Sequence, residues 1–146
     1  ERPVWVHGVH HISEVQSLGA RDLSRSEGTA RAAARALAMA GLDRASQVDL
    51  VELGATNPAE EWIVCDALGL DPHGRTPVLN PSGGPLCANP IMNTGLIRLG
   101  EVFRQLSGQA GTRAVSGAER ALAHATQGHC LQTNLVWLVG TARRFA

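Results

Sequence analysis

Two adjacent glycines, Gly83 and Gly84, join a short extended segment to a long amphipathic helix. They lie in the stretch Asn80-Pro-Ser-Gly-Gly-Pro-Leu-Cys-Ala-Asn-Pro-Ile-Met-Asn-Thr-Gly95. Neither glycine has a Cβ, so the backbone there can take unusual φ and come close to a ligand. Pro90 presets φ for a helix start. From Met92 the apolar residues Leu96, Leu99, Phe103 and Leu106 recur at helical spacing, which predicts a helix to about Ser107. The glycines by themselves also fit a structural turn with a helix cap.

The 146 residues suffice for one domain, residues 1–146, with a real core. Thirteen basic residues balance thirteen acidic ones, which argues against a nucleic-acid or acidic-membrane partner. Every basic residue is Arg, so this chain supplies neither a Schiff-base nor a P-loop lysine. It has no Tyr, which removes phenolic acid–base chemistry. Cys65, Cys87 and Cys130 are odd in number and lack C-x-x-C spacing, so they read as reduced thiols of a cytoplasmic protein. No apolar run is long enough to span a bilayer, and no signal peptide opens the sequence. The chain begins at Glu1 and enters a strand almost at once, which predicts a piece of a longer polypeptide.

Pro3 to Val9 reads as a first strand, with Val4 and Val6 on one face. Ser13 to Asp22 is a loop. Ser24-x-x-Glu27 resembles a capping box, and the helix after it would turn Ala30, Ala33, Ala34, Leu37 and Ala38 inward, ending at Gly41. Val48 to Leu53 is a short strand. Pro58 to Leu68 is a second helix, with Trp62, Ile63 and Leu68 inward and Gly69 as its stop. Thr76 to Leu79 is a third strand, leading into the glycine loop. Arg120 to Thr126 and Gln132 to Val139 are the last two strands, the latter a continuous apolar run. The order β-α-β-α-β-α-β-β predicts a layered α/β domain with a mostly parallel five-stranded sheet and an antiparallel end.

Four blocks of this sequence resemble the C-terminal half of the thiolase superfamily. Ala30 to Leu53 is similar to its helix-then-strand. Glu52 to Leu70 (ELGATNPAEEWIVCDALGL) is similar to the Glu-Leu-His-Asp-x-Phe … Glu-Ala-Leu-Gly-Leu segment of sterol-carrier-type thiolases. Asn80 to Gly95 resembles the Asn-x-x-Gly-Gly … Gly-His-Pro … Gly block. Ala121 to Val139 resembles the terminal hairpin whose turn bears the second active-site cysteine. The resemblance covers nearly the whole chain and implies that the N-terminal half, with the nucleophilic Cys, lies outside it.

The departures from the family pattern bear on mechanism. Ala88-Asn89-Pro90 stands for Gly-His-Pro, so Asn89 occupies the place of the activating His; an amide can donate and accept hydrogen bonds but takes no proton at neutral pH. Gly54-Ala55-Thr56-Asn57 replaces the polar His-Asp-x-Phe, leaving Asn57 as the substitute side chain. The last turn keeps His129 and Cys130. The resemblance therefore implies Cys130, His129 and Asn89 as catalytic residues, and Asn80, Gly83, Gly84, Cys87 and Asn57 as substrate-binding. It implies an acyltransferase-like enzyme of lipid metabolism that makes or breaks a carbon–carbon bond in acyl-CoA thioesters, with coenzyme A as part of the substrate and no cofactor. Two alternatives stand beside it. One is a retro-aldolase on β-hydroxyacyl-CoA, of the kind used in steroid and branched side-chain degradation with a small zinc-ribbon/OB-fold partner. The other is a non-catalytic subunit. Either way a partner is implied: an N-terminal thiolase half or a second subunit, in a homo- or hetero-oligomer.

Other residues have plainer readings. His7, His10 and His11 resemble a metal tract, with His7 and His11 on one side of a strand, but no Cys and no carboxylate except Glu14 stands at ligand spacing, so no metal is assigned. Cys65 reads as a small buried hydrophobe and His124 as a partly buried strand histidine. Glu60 and Glu61 read as a solvated helix face, with Glu61 matching the family's Glu.

Overall fold

The computed structural model describes residues 2–144. The strands are β1 (Trp5–Ser13), β2 (Leu50–Glu52), β3 (Val78–Leu79), β4 (Arg120–Gln127) and β5 (Thr133–Gly140). The helices are α1 (Glu27–Met39), α2 (Pro58–Leu68), α3 (Gly84–Cys87) and α4 (Thr94–Ser107). One mixed sheet runs in the order β1-β5-β4-β2-β3. β2 pairs parallel with β3 and β4, while β5 pairs antiparallel with β4 and β1. The expected antiparallel end is thus not an end. β5 folds back from β4 by a hairpin and inserts between β4 and β1, so half of the strand pairings are antiparallel. β1 also reaches Ser13, past the expected Val9, because β5 offers a partner along its whole length, from Trp5↔Gly140 to Ser13↔Thr133.

Local chemistry marks both ends of α2. The Asn57 side chain accepts a hydrogen bond from the Glu60 N–H at 3.0 Å, Pro58 opens the helix, and Gly69 closes it at φ 65°. Its inward positions are Val64, Cys65 and Leu68. Trp62, expected inside, is 56% exposed and lies edge-on to His73 at 5.3 Å, because the small Val64 and Cys65 fill the interior. Burial pushes the Cys65 thiol up to about 11, with Glu61 and Asp71 adding to the shift.

Helix α1 starts differently from the sequence expectation. Its cap is Ser26, whose hydroxyl accepts the Thr29 N–H at 3.3 Å; Ser24 is held instead by Asp22, at 2.6 Å. Thr29, Ala32, Ala33, Ala36 and Leu37 face inward, while Ala34 and Ala38 are exposed. Gly8 of β1 sets this rotation. A Cβ there would lie 2.1 Å from the Ala36 carbonyl oxygen, so helix and strand meet backbone to backbone.

The sheet is buried on both faces around β4. Leu122, Val136 and Leu138 pack under α1 and α2 with Val51 and Val64. Leu50, Ala121, Ala123 and Val139 pack under Val102 and Leu106 of α4. The small side chains of β4 let α4 approach so closely that a Cβ on Gly95 would stand 2.4 Å from the Ala125 Cβ. The apolar period of α4 is real, yet much of it faces outward: Met92 is 86% exposed, Leu96 68% and Phe103 42%. The inner face carries Thr94, Arg98, Glu101, Val102, Gln105 and Leu106. Its polar members have partners: Glu101 binds Arg113 at 2.9 Å, and Gln105 bridges the Arg113 carbonyl and the Val115 N–H, each at 2.9 Å. The helix begins at Thr94 rather than Met92, since the Pro90 carbonyl accepts the Asn93 N–H in a preceding turn. Among the described residues no helix is long and apolar enough to cross a membrane.

Candidate active site

The chain leaving β3 is tied to the end of β2 by Asn80. Its N–H donates to the Val51 carbonyl at 2.8 Å, and its Oδ1 accepts the Leu53 N–H at 2.7 Å. Gly83 and Gly84 follow at φ 88° and 60°, the left-handed region that suits glycine. Beneath them Glu52, with no exposed surface, accepts the Ser82 N–H at 2.9 Å, the Ser82 hydroxyl at 2.8 Å and the Arg98 guanidinium at 2.8 Å. Ser82 Oγ in turn accepts from Arg98 at 2.7 Å and from the Gly84 N–H at 3.1 Å. Burial pushes the Glu52 carboxyl above its ordinary value, and the Ser82 and Arg98 bonds pull against that. This buried cluster fixes the glycine loop to both β2 and α4.

A cavity of about 550 Å³ opens beside that loop. Asn89, Ile91, Met92, Thr94 and Leu96 form the wall at the start of α4, and Gly54, Thr56 and Glu60 the wall before and within α2. Ala125, Thr126, Gln127, Gly128 and Leu131 line it from β4 and the hairpin turn; His11, Leu135 and Trp137 line it from the sheet. The Thr94 hydroxyl donates to Asn89 Oδ1, which leaves the Asn89 NH₂ hydrogens to donate elsewhere. Glu60 Oε2 accepts from the Thr56 N–H at 2.8 Å and the Thr56 hydroxyl at 2.6 Å.

The hairpin turn is held through its backbone. Arg21 donates to the His129 and Cys130 carbonyls, each at 3.1 Å, and pairs with Glu14 at 3.4 Å. Cys130 and Leu131 both have positive φ, 53° and 57°. The Cys130 side chain is exposed.

His124 lies on the opposite face of β4 and is fully buried. Its Nδ1 accepts the Gly54 N–H at 3.4 Å, so Nε2 carries the proton, 3.3 Å from Asn134 Oδ1. Thr29 donates to the same Asn134 oxygen at 2.9 Å. Burial lowers the His124 pKa to about 4, outweighing the Asn134 bond and Glu60. The unfolded chain takes up this proton near 6.5 and the native one near 4. The His124 contribution to stability is therefore complete above pH 6.5 and lost as the pH drops from 6.5 toward 4. We expect urea titrations to show a loss of a few kcal/mol across that window, and His124→Gln to remove most of the dependence. A flat profile in the unmodified chain would contradict this.

A family profile described as "Thiolase C-terminal domain-like" matches residues 10–141. The chain belongs to that family. Sterol carrier protein 2 of Gallus gallus is 38% identical over 111 residues, covering 66% of this chain and 20% of the relative. An acetyl-CoA acetyltransferase of Methanothermobacter thermautotrophicus is 32% identical over 141 residues, covering 85% of this chain and 36% of the relative. A monomeric SCP2-thiolase like protein type 1 from Mycobacterium smegmatis shares the fold, with TM-score 0.78 at 23% identity, over 98% of this chain and 30% of that one. The thiolase domain seen here thus spans between 20% and 36% of the length of these proteins.

Within this thiolase domain the structure places Asn89 on the cavity wall. Cys130 and His129 sit on the turn whose Gly128 and Leu131 line the cavity. Asn80, Gly83, Gly84 and Cys87 form the adjoining loop, where Gly83 makes room for the Cys87 thiol. Asn57 is engaged as the cap of α2, next to Thr56 and Glu60. His10 pairs with Val136 and His11 with Leu135, on opposite faces of β1. Among the described residues no group of three or more His, Cys, Asp or Glu could hold a metal ion. Thr94 and Glu60 are cavity residues that the sequence reading did not single out. In sequence Glu60 reads as part of a solvated helix face, yet it borders the cavity.

Proposed function

We propose that this thiolase domain is part of an enzyme that makes or breaks the bond between the α- and β-carbons of an acyl-CoA thioester. The observation carrying this reading is Asn89. By the family resemblance it takes the place of the activating histidine; it lines the cavity at the start of α4 and has its oxygen occupied by Thr94. Its amide hydrogens are then free to hold a thioester or enolate oxygen. Cys130 and His129, on the facing turn, are the acid–base pair of the Claisen form of this reaction. The CoA moiety belongs to the substrate, and no resident cofactor is required. An apolar groove of about 380 Å³ between Val4, Val6, Leu96, Leu99, Phe103 and Val139 supports a partner that completes the site, either an N-terminal thiolase half or a second subunit. A cytoplasmic location is part of the same reading.

A second reading, retro-aldol cleavage of a β-hydroxyacyl-CoA, is favoured by the nature of Asn89. An amide can stabilise an enolate but cannot make a cysteine thiolate. The test is turnover of an acyl-CoA panel by the complete protein and its Cys130→Ser variant. Claisen chemistry predicts a loss of roughly two orders of magnitude or more. Near-normal rates in both Cys130→Ser and His129→Ala would remove the Claisen form and leave the retro-aldol one. Absence of acyl-CoA binding and turnover by the complete protein would end both.

A further inference from the structure

We infer that Glu60 is a catalytic base of this cavity and acts on the β-hydroxyl of a β-hydroxyacyl thioester. The inference rests on the retro-aldol reading above and adds the group that reading lacks. Among the described residues that line the cavity, Glu60 and His11 carry titratable side chains. Gly54 and Gly95 both abut Ala125 on the cavity lining: a Cβ on Gly54 would lie 3.1 Å from the Ala125 Cα, and one on Gly95 2.4 Å from the Ala125 Cβ. Gly54 leads through Thr56 to Glu60 on one side, and Gly95 follows Asn89 and Thr94 on the other. His11 pairs with Leu135, which pairs with Ala125, so it stands two strand spacings away, roughly 10 Å. Glu60 and Asn89 thus line one cavity from two different elements, a carboxylate able to act as base and an amide able to hold an oxyanion.

Glu60 also closes the first turn of α2, but that task uses only Oε2. Among the described residues Oε1 has no hydrogen-bond partner, and the side chain borders the cavity. The step balances without a further reactant. The Glu60 carboxylate takes the β-hydroxyl proton, and the β-carbon becomes a carbonyl as the Cα–Cβ bond breaks. The electron pair of that bond passes to the α-carbon and is shared with the thioester oxygen, which the Asn89 amide holds. The protonated Glu60 then returns its proton to the α-carbon. The products are an aldehyde or ketone and a shorter acyl thioester, with Glu60 ionised again.

Glu60→Gln tests this cleanly, because a glutamine oxygen still accepts from Thr56 while it cannot take a proton. In the complete protein we expect kcat for β-hydroxyacyl-CoA cleavage to fall by two orders of magnitude or more, with KM changed by less than about threefold. Exchange of the α-hydrogens of the product acyl-CoA in deuterium oxide, followed by NMR, should be lost in parallel, with an unchanged melting temperature. Glu60→Asp, which keeps a carboxylate, should recover part of both signals. Near-normal kcat and exchange in Glu60→Gln, with the unmodified protein active, would overturn the inference and leave the function standing. Equal losses in Glu60→Gln and Glu60→Asp with lowered melting temperatures would show a capping residue only, and overturn it too. An unmodified protein that neither binds nor cleaves acyl-CoA would remove the function and the inference together.

Discussion

Arg98→Met is expected to destabilise the domain by about 3–5 kcal/mol, because it strips the cation from a carboxylate with no exposed surface. For a chain of this size that corresponds to a fall in melting temperature of about 10–16 °C. Urea or thermal denaturation measures it. A charge left alone in the interior costs more than the pair contributed, so the double variant Glu52→Leu/Arg98→Met should recover part of the loss. It should not recover all, since the Ser82 N–H and hydroxyl then have no acceptor at Glu52. A change below about 1 kcal/mol in Arg98→Met would mean that water reaches Glu52 and that the cluster is no strut. The glycine loop hangs from the same cluster, so under the proposed function acyl-CoA binding by the complete protein should weaken alongside stability.

Gly8→Val should be about as damaging, at roughly 3 kcal/mol or more. The new side chain meets the Ala36 carbonyl, a helix backbone atom that cannot rotate aside, and α1 must lift off β1. Gly100→Ala is the control. Nothing lies within 4 Å of a Cβ there and the residue is helical, so alanine should stabilise by about 0.5–1 kcal/mol. Opposite signs for the two glycines would establish that contact with α1, not glycine entropy, sets the value at position 8. Equal effects would reject it.

These two sites also show why parts of the fold were legible and others were not. Helix α2 could be read to the residue, since Pro58 and Gly69 act within one turn of themselves; its cap Asn57 reads in sequence as a substrate-binding side chain instead. The β4–β5 hairpin was readable because its apolar run is continuous. The face of α1 was not, because alanines on every side give almost no amphipathic contrast, and the rotation is decided by Gly8 across the sheet. Helix α4 misled in the opposite way. Its apolar stripe is strong but faces away from the sheet, while its inner face spends Arg98, Glu101 and Gln105 on partners distant in sequence. The place of β5 between β4 and β1 is likewise a matter of long-range pairing. In the cavity, Asn89 stood out by its motif. Thr94 and Glu60 did not, because what distinguishes them is that the fold brings both to one cavity, and no spacing in the chain encodes that.

The arginine fork over the hairpin turn has a wider consequence. Arg21 grips carbonyl oxygens, which every residue type possesses, and asks nothing of the side chains at 129 and 130. The shape of the turn is thereby uncoupled from the identity of its side chains. Positive φ at Cys130 and Leu131 disfavours β-branched replacements there, but a thiol, an amide or a hydroxymethyl can occupy position 130 on one unchanged scaffold. Such a turn works as an interchangeable tool holder. A lineage built on it can exchange the side chain at 130 by single substitutions, without first passing through a misfolded ancestor.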